Sequence, residues 1–183
     1  RDQMLERVKR QKKLISYDHD LRRTDGEIIH AVANLIGGFD QSGNLQTLKG
    51  YIIDDTERKK ASEENRKLSR AMEQSPVSVV ITDLKGDIEY VNPVFSEITG
   101  YSIDEALGQN PRFLKSGNLP EEVYLELWDT ITSGKNWFGE LQNKRKDDSF
   151  YWEFVSISPI KDEKGKTTHY VAVKEDITEK KKY

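Results

Sequence analysis

Residues 137–178 read WFGELQNKRKDDSFYWEFVSISPIKDEKGKTTHYVAVKEDIT, and this stretch decides the fold. Aromatic and β-branched residues gather at Trp137-Phe138, over 150–157 and over 170–173. The polar breaks Lys146-Asp147-Asp148-Ser149 and 161–166 separate them, the second carrying Gly165. Short polar turns between β-prone runs predict a three-stranded antiparallel meander.

The same pattern occurs once before, over residues 14–56. Adding 122 to a residue number carries Arg23 onto Arg145, Asp25 onto Asp147, Asp40 onto Asp162 and Gly43 onto Gly165. It also carries Asp54 onto Asp176, Thr56 onto Thr178, Glu57 onto Glu179, and Lys59-Lys60 onto Lys181-Lys182. Self-similarity at a fixed long period indicates one structural unit used twice. The first copy has only about half a unit in front of it. A lone meander leaves an apolar face open and is marginal by itself. The expectation is that its other half lies upstream or that a partner covers it.

Of 183 residues, 33% are charged and the formal net charge is only −3, without the basic stripe that nucleic-acid binding needs. The cluster Lys144-Arg145-Lys146 reads as solvated turn residues. Without cysteine, disulfides, thiolate metal sites and thiol nucleophiles are excluded. No apolar run approaches the roughly 20 residues that span a bilayer, so the expected location is the cytoplasm, with no membrane segment in this stretch.

In chain order, residues 1–13 read as a polar helix with a weak Met4, Leu5, Val8 face. Strands are expected near 14–24, 27–39 and 45–54. Residues 57–74 read as one charged helix without Gly or Pro. Its Ala61, Asn65, Leu68 and Met72 form a thin a/d seam, either a dimer contact or one greasy edge of a solvated linker. The complete domain then opens with strands at 77–82 and 88–91 around a turn at Gly86. Asn92-Pro93 starts a short helix that Gly100 stops. Ser102 and Glu105 have capping-box spacing. Val123, Leu127 and Ile131, with Tyr124 and Trp128 beside them, mark a longer helix over 120–133.

This order of elements resembles a PAS domain of the S-box type. The residues that carry the resemblance are Ile81-Thr82-Asp83, Tyr90-Val91-Asn92-Pro93, Ile98-Thr99-Gly100-Tyr101, Gly108-Gln109-Asn110-Pro111, Trp137-Phe138-Gly139-Glu140, Asn143-Lys144-Arg145-Lys146-Asp147 and Asp176-Ile177-Thr178. It implies an α+β fold: a five-stranded antiparallel sheet with short helices on one face, preceded by a half unit and a linker helix. The implied divisions are 1–56 for the C-terminal part of a first PAS domain, 57–74 for the linker, 75–178 for the complete domain and 179–183 for the start of an output helix. It further implies a bacterial sensor and dimerisation module, acting through helical linkers on a histidine kinase or diguanylate cyclase beyond this stretch. Asp54, Thr56, Asp176 and Thr178 are then the signal-relay residues, and a homodimer is the expected assembly.

The segment 108–115 is similar to the flavin-binding segment of light-sensing PAS relatives. Those have a cysteine at Pro111, and glutamines at Lys115 and Lys174, so a thiol photoadduct cannot form here. Redox-sensing flavin relatives lack the cysteine, and Asn110, Trp128 and Trp137 match them loosely. Haem is disfavoured because residues 120–133 hold no histidine. A small organic ligand, met by Asn110, Arg112, Lys115, Trp128, Asn143 and Lys174, is open beside flavin and beside an empty, packed interior. Lysines at strand ends are ordinarily solvated, and buried tryptophans ordinarily core. Neither a phosphate-cradling loop nor a metal-spaced His/Asp/Glu set occurs, so no catalytic residue or metal site is expected.

Overall fold

Asp-Gly and Ser-Gly turns set the strand boundaries. Asp40 Oδ1 accepts from Ser42 N (2.9 Å) and Asn44 N (2.8 Å), and Asp162 Oδ1 accepts from Lys164 N and Lys166 N (2.9 Å each). Such Asx turns let a carboxylate satisfy backbone donors that the strands no longer pair. The computed structural model describes residues 2–182 and divides into two compact units, Arg1–Lys67 and Leu68–Tyr183.

In the first unit α1 (Asp2–Gln11) precedes β1 (Lys13–Arg22), β2 (Ile28–Phe39) and β3 (Leu45–Asp54), an antiparallel sheet in the order β1-β2-β3. Val8 of α1 packs with Leu14, Ala33 and Leu35 in a small core flanked by Met4 and Leu45. Helix α2 (Thr56–Glu73) runs on from β3 and buries no residue; Leu68 is exposed.

The second unit contains β4 (Ser78–Thr82), β5 (Ile88–Val91), α3 (Pro93–Thr99), α4 (Ile103–Ala106), a 3-10 turn at Pro111–Leu114 and α5 (Glu121–Thr132). The meander β6 (Trp137–Lys144), β7 (Phe150–Lys161) and β8 (Thr167–Asp176) follows, and a 3-10 turn at Glu179–Lys182, rather than an α-helix, ends the described chain. Five strands form one antiparallel sheet in the order β5-β4-β8-β7-β6. The expected α+β fold, a five-stranded antiparallel sheet with short helices, is what this unit adopts.

Local signals explain the helix starts. Asn92, fully buried, accepts from Val79 N (2.9 Å) and Phe95 N (3.4 Å) and donates to Val77 O (2.9 Å) and Met72 O (3.1 Å), so its whole amide is engaged. The capping box forms in full: Glu105 N donates to Ser102 Oγ (3.3 Å) and Ser102 N to Glu105 Oε2 (2.9 Å).

From Tyr17 onward the two meanders share one register; the bulge between Leu14 and Tyr17 in β1 has no counterpart in β6. The pairs Arg22↔Ile28, Ala31↔Asp54 and Gly38↔Thr47 of the first recur, each number raised by 122, as Lys144↔Phe150, Glu153↔Asp176 and Ile160↔His169. A bulge after Gly38 recurs after Ile160. The helix in front repeats as well. Met4, Val8 and Leu14 have the spacing of Leu127, Ile131 and Trp137, and each set packs into its own core.

One sequence expectation fails here. Arg145 is not a solvated turn residue. Its guanidinium is three-quarters buried, donating through Nε to Ile98 O (2.7 Å) and through Nη2 to Asp176 Oδ2 (2.8 Å). Arg23, at the matching place, instead pairs with Asp25 and Glu27 at the surface. The difference is that only the second unit supplies a helix end, at Ile98, for the arginine to hold.

Candidate functional site

Strand alternation sends Leu141 and Asn143 of β6, Tyr151, Glu153, Val155 and Ile157 of β7, and Tyr170, Ala172 and Lys174 of β8 toward the helical side of the sheet. Helix α5 covers this face with Leu127 and Ile131 buried and Tyr124 and Trp128 half-buried. Trp128 meets Tyr170 edge-on, centroids 6.3 Å apart and planes at 89°. Between sheet and helix lies a cavity of about 280 Å³. Gly86 (φ +88°) keeps its wall thin, since a Cβ there would sit 2.8 Å from the Trp128 ring.

All six residues singled out from the sequence line this one cavity. Arg112 and Lys115 are exposed and stand at its mouth. Lys115 is bridged through its backbone to Asn143, and its Nζ lies 3.5 Å from the Tyr124 ring centroid. Asn110 caps the 3-10 turn, accepting from Arg112 N (3.2 Å) and donating to Lys85 O (3.3 Å), so both ends of its amide serve the loop. Trp128 packs against the core and also lines the cavity.

Lys174 departs from the expectation of a solvated strand-end lysine. It lies near the end of β8 but points inward, paired with Ser78 on one side and Val155 on the other, and its side chain is only 9% exposed. Its Nζ donates to Glu153 Oε1 (2.9 Å), which also accepts from Asn143 Nδ2 (2.8 Å). Glu153, 3% exposed, was not among the residues picked from the sequence. The signal was present: Glu153 falls in the inward phase of Tyr151, Val155 and Ile157, and Lys174 in that of Tyr170 and Ala172. A charge on the apolar phase of a two-sided strand has to find a buried mate.

Two phenols sit beside this group. Tyr151 is fully buried with its hydroxyl against Asn143 and Glu153, and Tyr124 is half-buried with no hydrogen-bond partner for its hydroxyl among the described residues. Burial, then the negative charge of Glu153, pushes both phenols above the usual tyrosine range, so both stay protonated. The Tyr124 hydroxyl is therefore a donor in waiting. Among the described residues no group of His, Asp or Glu is arranged to hold a metal ion.

At the exit, Asp176 Oδ1 accepts from Thr178 N (2.9 Å) and Thr178 Oγ1 (2.5 Å), and Thr178 Oγ1 accepts from Trp152 N (3.0 Å). Asp54, Thr56 and His30 repeat the arrangement, with Thr56 Oγ1 accepting from His30 N at 2.9 Å. The polar lining does not repeat. Where the second unit has Asn143, Glu153 and Lys174, the first has Leu21, Ala31 and Ile52.

A family model for the PAS domain matches residues 76–179, the span that holds this sheet and cavity. The chain belongs to the PAS family. A PAS domain is a sensory module, not a catalyst. Among curated relatives, a nitrogen fixation regulatory protein of Klebsiella oxytoca is 39% identical over 107 residues, 58% of this chain and 22% of that protein. The chain thus spans about a fifth of that relative's length. The PAS domain of a protein from Colwellia psychrerythraea superposes with a TM-score of 0.59 at 25% identity, covering 63% of this chain and 98% of that one. A light-oxygen-voltage domain studied with a flavin analogue superposes with a TM-score of 0.58 at 27% identity, covering 63% and 87%. No helix among the described residues is long and apolar enough to cross a membrane.

Proposed function

We propose that this PAS domain holds a small organic ligand in its cavity and passes the state of that cavity to the segment after Thr178. The buried Glu153–Lys174 pair carries the proposal. A buried ion pair is usually no more stabilising than well-packed apolar residues, and the first meander keeps the same register with Ala31 and Ile52 in these places. The scaffold does not need the charges; a ligand does. The path outward is short, because Glu153 adjoins Trp152, whose N–H is held by Thr178.

In this reading residues 1–56 are the C-terminal part of a preceding PAS domain and 57–74 the linker between two sensors in series. The shared register and the repeated helix spacing support it. The output would be a domain such as a histidine kinase or diguanylate cyclase in a cytoplasmic, bacterial two-component protein, acting as a homodimer. The Leu68 seam is the proposed dimer contact. Sedimentation tests it: Leu68→Lys should weaken self-association, and an unchanged dimer would move the contact elsewhere.

A second reading places a flavin here, favoured by the flavin-analogue neighbour and by the Trp128 wall above Lys174 and Asn143. A flavin would supply redox chemistry, with Trp128 against the ring and Lys174 and Asn143 at its edge. No cysteine is present for a thiol adduct. Absorption and native mass spectrometry of purified protein separate the two readings. A flavin spectrum establishes the second. Melting that no small organic compound or flavin shifts would refute the sensor reading itself, since a ligand of the folded state raises stability by mass action.

A further inference from the structure

We infer that the ligand of this cavity is a compact aromatic monocarboxylate whose carboxylate docks on Lys174 and Lys115. This rests on the small-ligand reading above and adds its charge and shape.

The polar end of the cavity is unbalanced. Lys174, Asn143 and the phenol of Tyr124 meet there, with Lys115 reaching over Tyr124 from the mouth. Glu153 is the one carboxylate beneath them, and Lys174 and Asn143 both bond its Oε1. Lys115 forms no ion pair among the described residues, and Lys174 keeps two N–H donors beyond the one given to Glu153. The buried Lys174 is matched by the buried Glu153, and the exposed Lys115 adds a second ammonium at the mouth, with the unpartnered Tyr124 hydroxyl as a further donor. Arg112 and Glu121, also on the cavity wall, are both exposed and of opposite sign, so they leave that count unchanged.

One added negative charge closes the balance and gives the free donors an acceptor. A neutral ligand leaves the surplus in place. A dianion adds a buried charge without a mate, and a cation meets two like charges; both are costly away from water. Trp128, Tyr170, Leu127, Ile131 and Val155 form the apolar part of the cavity, with Thr82 and Asn110 as further polar lining. At about 280 Å³ it lies just below the roughly 300–1,000 Å³ of ordinary ligand pockets, which suits a body of one or two rings.

The test uses the whole chain with three probes of one shape: benzoate, benzamide and benzylamine. Calorimetric titration and melting should show binding of benzoate, with benzamide and benzylamine at least ten-fold weaker. Lys174→Met should lose benzoate. Lys115→Met, at an exposed position that folding does not need, should weaken it about ten-fold. Glu153→Gln, which enlarges the positive surplus, should tighten it several-fold. Benzamide binding as well as benzoate, or affinity indifferent to Lys115→Met, overturns the monocarboxylate assignment and leaves the cavity a ligand site. A flavin that co-purifies also overturns it, while keeping the sensor reading. If none of the three probes binds, the monocarboxylate assignment falls; the sensor reading falls with it only when no flavin or other small organic compound shifts melting either.

Discussion

Replacing Lys174 by Ile, the residue at the matching place of the first meander, is the sharpest probe of the buried pair. It leaves Glu153 3% exposed, with Asn143 as its one remaining donor. Removing one member of a buried pair costs about 3–5 kcal/mol. Here a ceiling applies, because Glu153 can take up a proton instead. Neutralising a carboxyl of ordinary pKa costs about 4 kcal/mol at pH 7 and about 1 kcal/mol at pH 5. The loss should be about 3–4 kcal/mol at pH 7 and about 1 kcal/mol at pH 5. Restoring the whole apolar set with Asn143→Leu, Glu153→Ala and Lys174→Ile removes every orphaned polar group. That triple variant should recover to within about 2 kcal/mol of the parent. Trp128, Trp137 and Trp152, the three tryptophans of the chain, all lie in the second unit, so tryptophan fluorescence in urea reads that unit alone. A single variant within about 1 kcal/mol of the parent at pH 7, or a deficit that ignores pH, would refute the reasoning.

Arg145→Ala should cost about 2–3 kcal/mol in urea unfolding, because it orphans the Ile98 carbonyl and frees Asp176 at the exit. Trp128→Ala should cost about 2 kcal/mol by the same measurement, below the roughly 3–5 of a fully buried tryptophan, because its ring already borders open space. Glu105 is held down to about 2 by Lys146 Nζ at 2.5 Å and by Ser102 N–H, so its NMR titration should have a midpoint near that value. Its contact is complete above the ordinary glutamate range and is lost as pH falls through about 2.

The second sheet was legible because β6, β7 and β8 alternate along much of their length and the turns carry their own Asx or glycine chemistry. Asn92-Pro93 and Ser102 with Glu105 announced their helices for the same local reason. The 3-10 turn at Pro111–Leu114 was hidden, since four residues carry no periodicity. Lys174 was picked from its place in the family pattern, but its burial and its tie to Glu153 were not. That contact joins residues 21 apart through strand pairing, and only the register makes them neighbours. Arg145 shows the converse. Its repeat partner Arg23 is a surface residue, so similarity of sequence concealed a difference of environment.

A chain with two interchangeable β-templates runs a folding hazard, because either set of strands offers a ready mate to the other. Identity between the copies is concentrated in turns and exits, while the inward residues differ. A hybrid sheet with β3 beside β7 would set Ile52 where Lys174 belongs and strand Glu153 without its counter-charge, at several kcal/mol. The same two side chains that line the cavity would thereby penalise the wrong strand pairing.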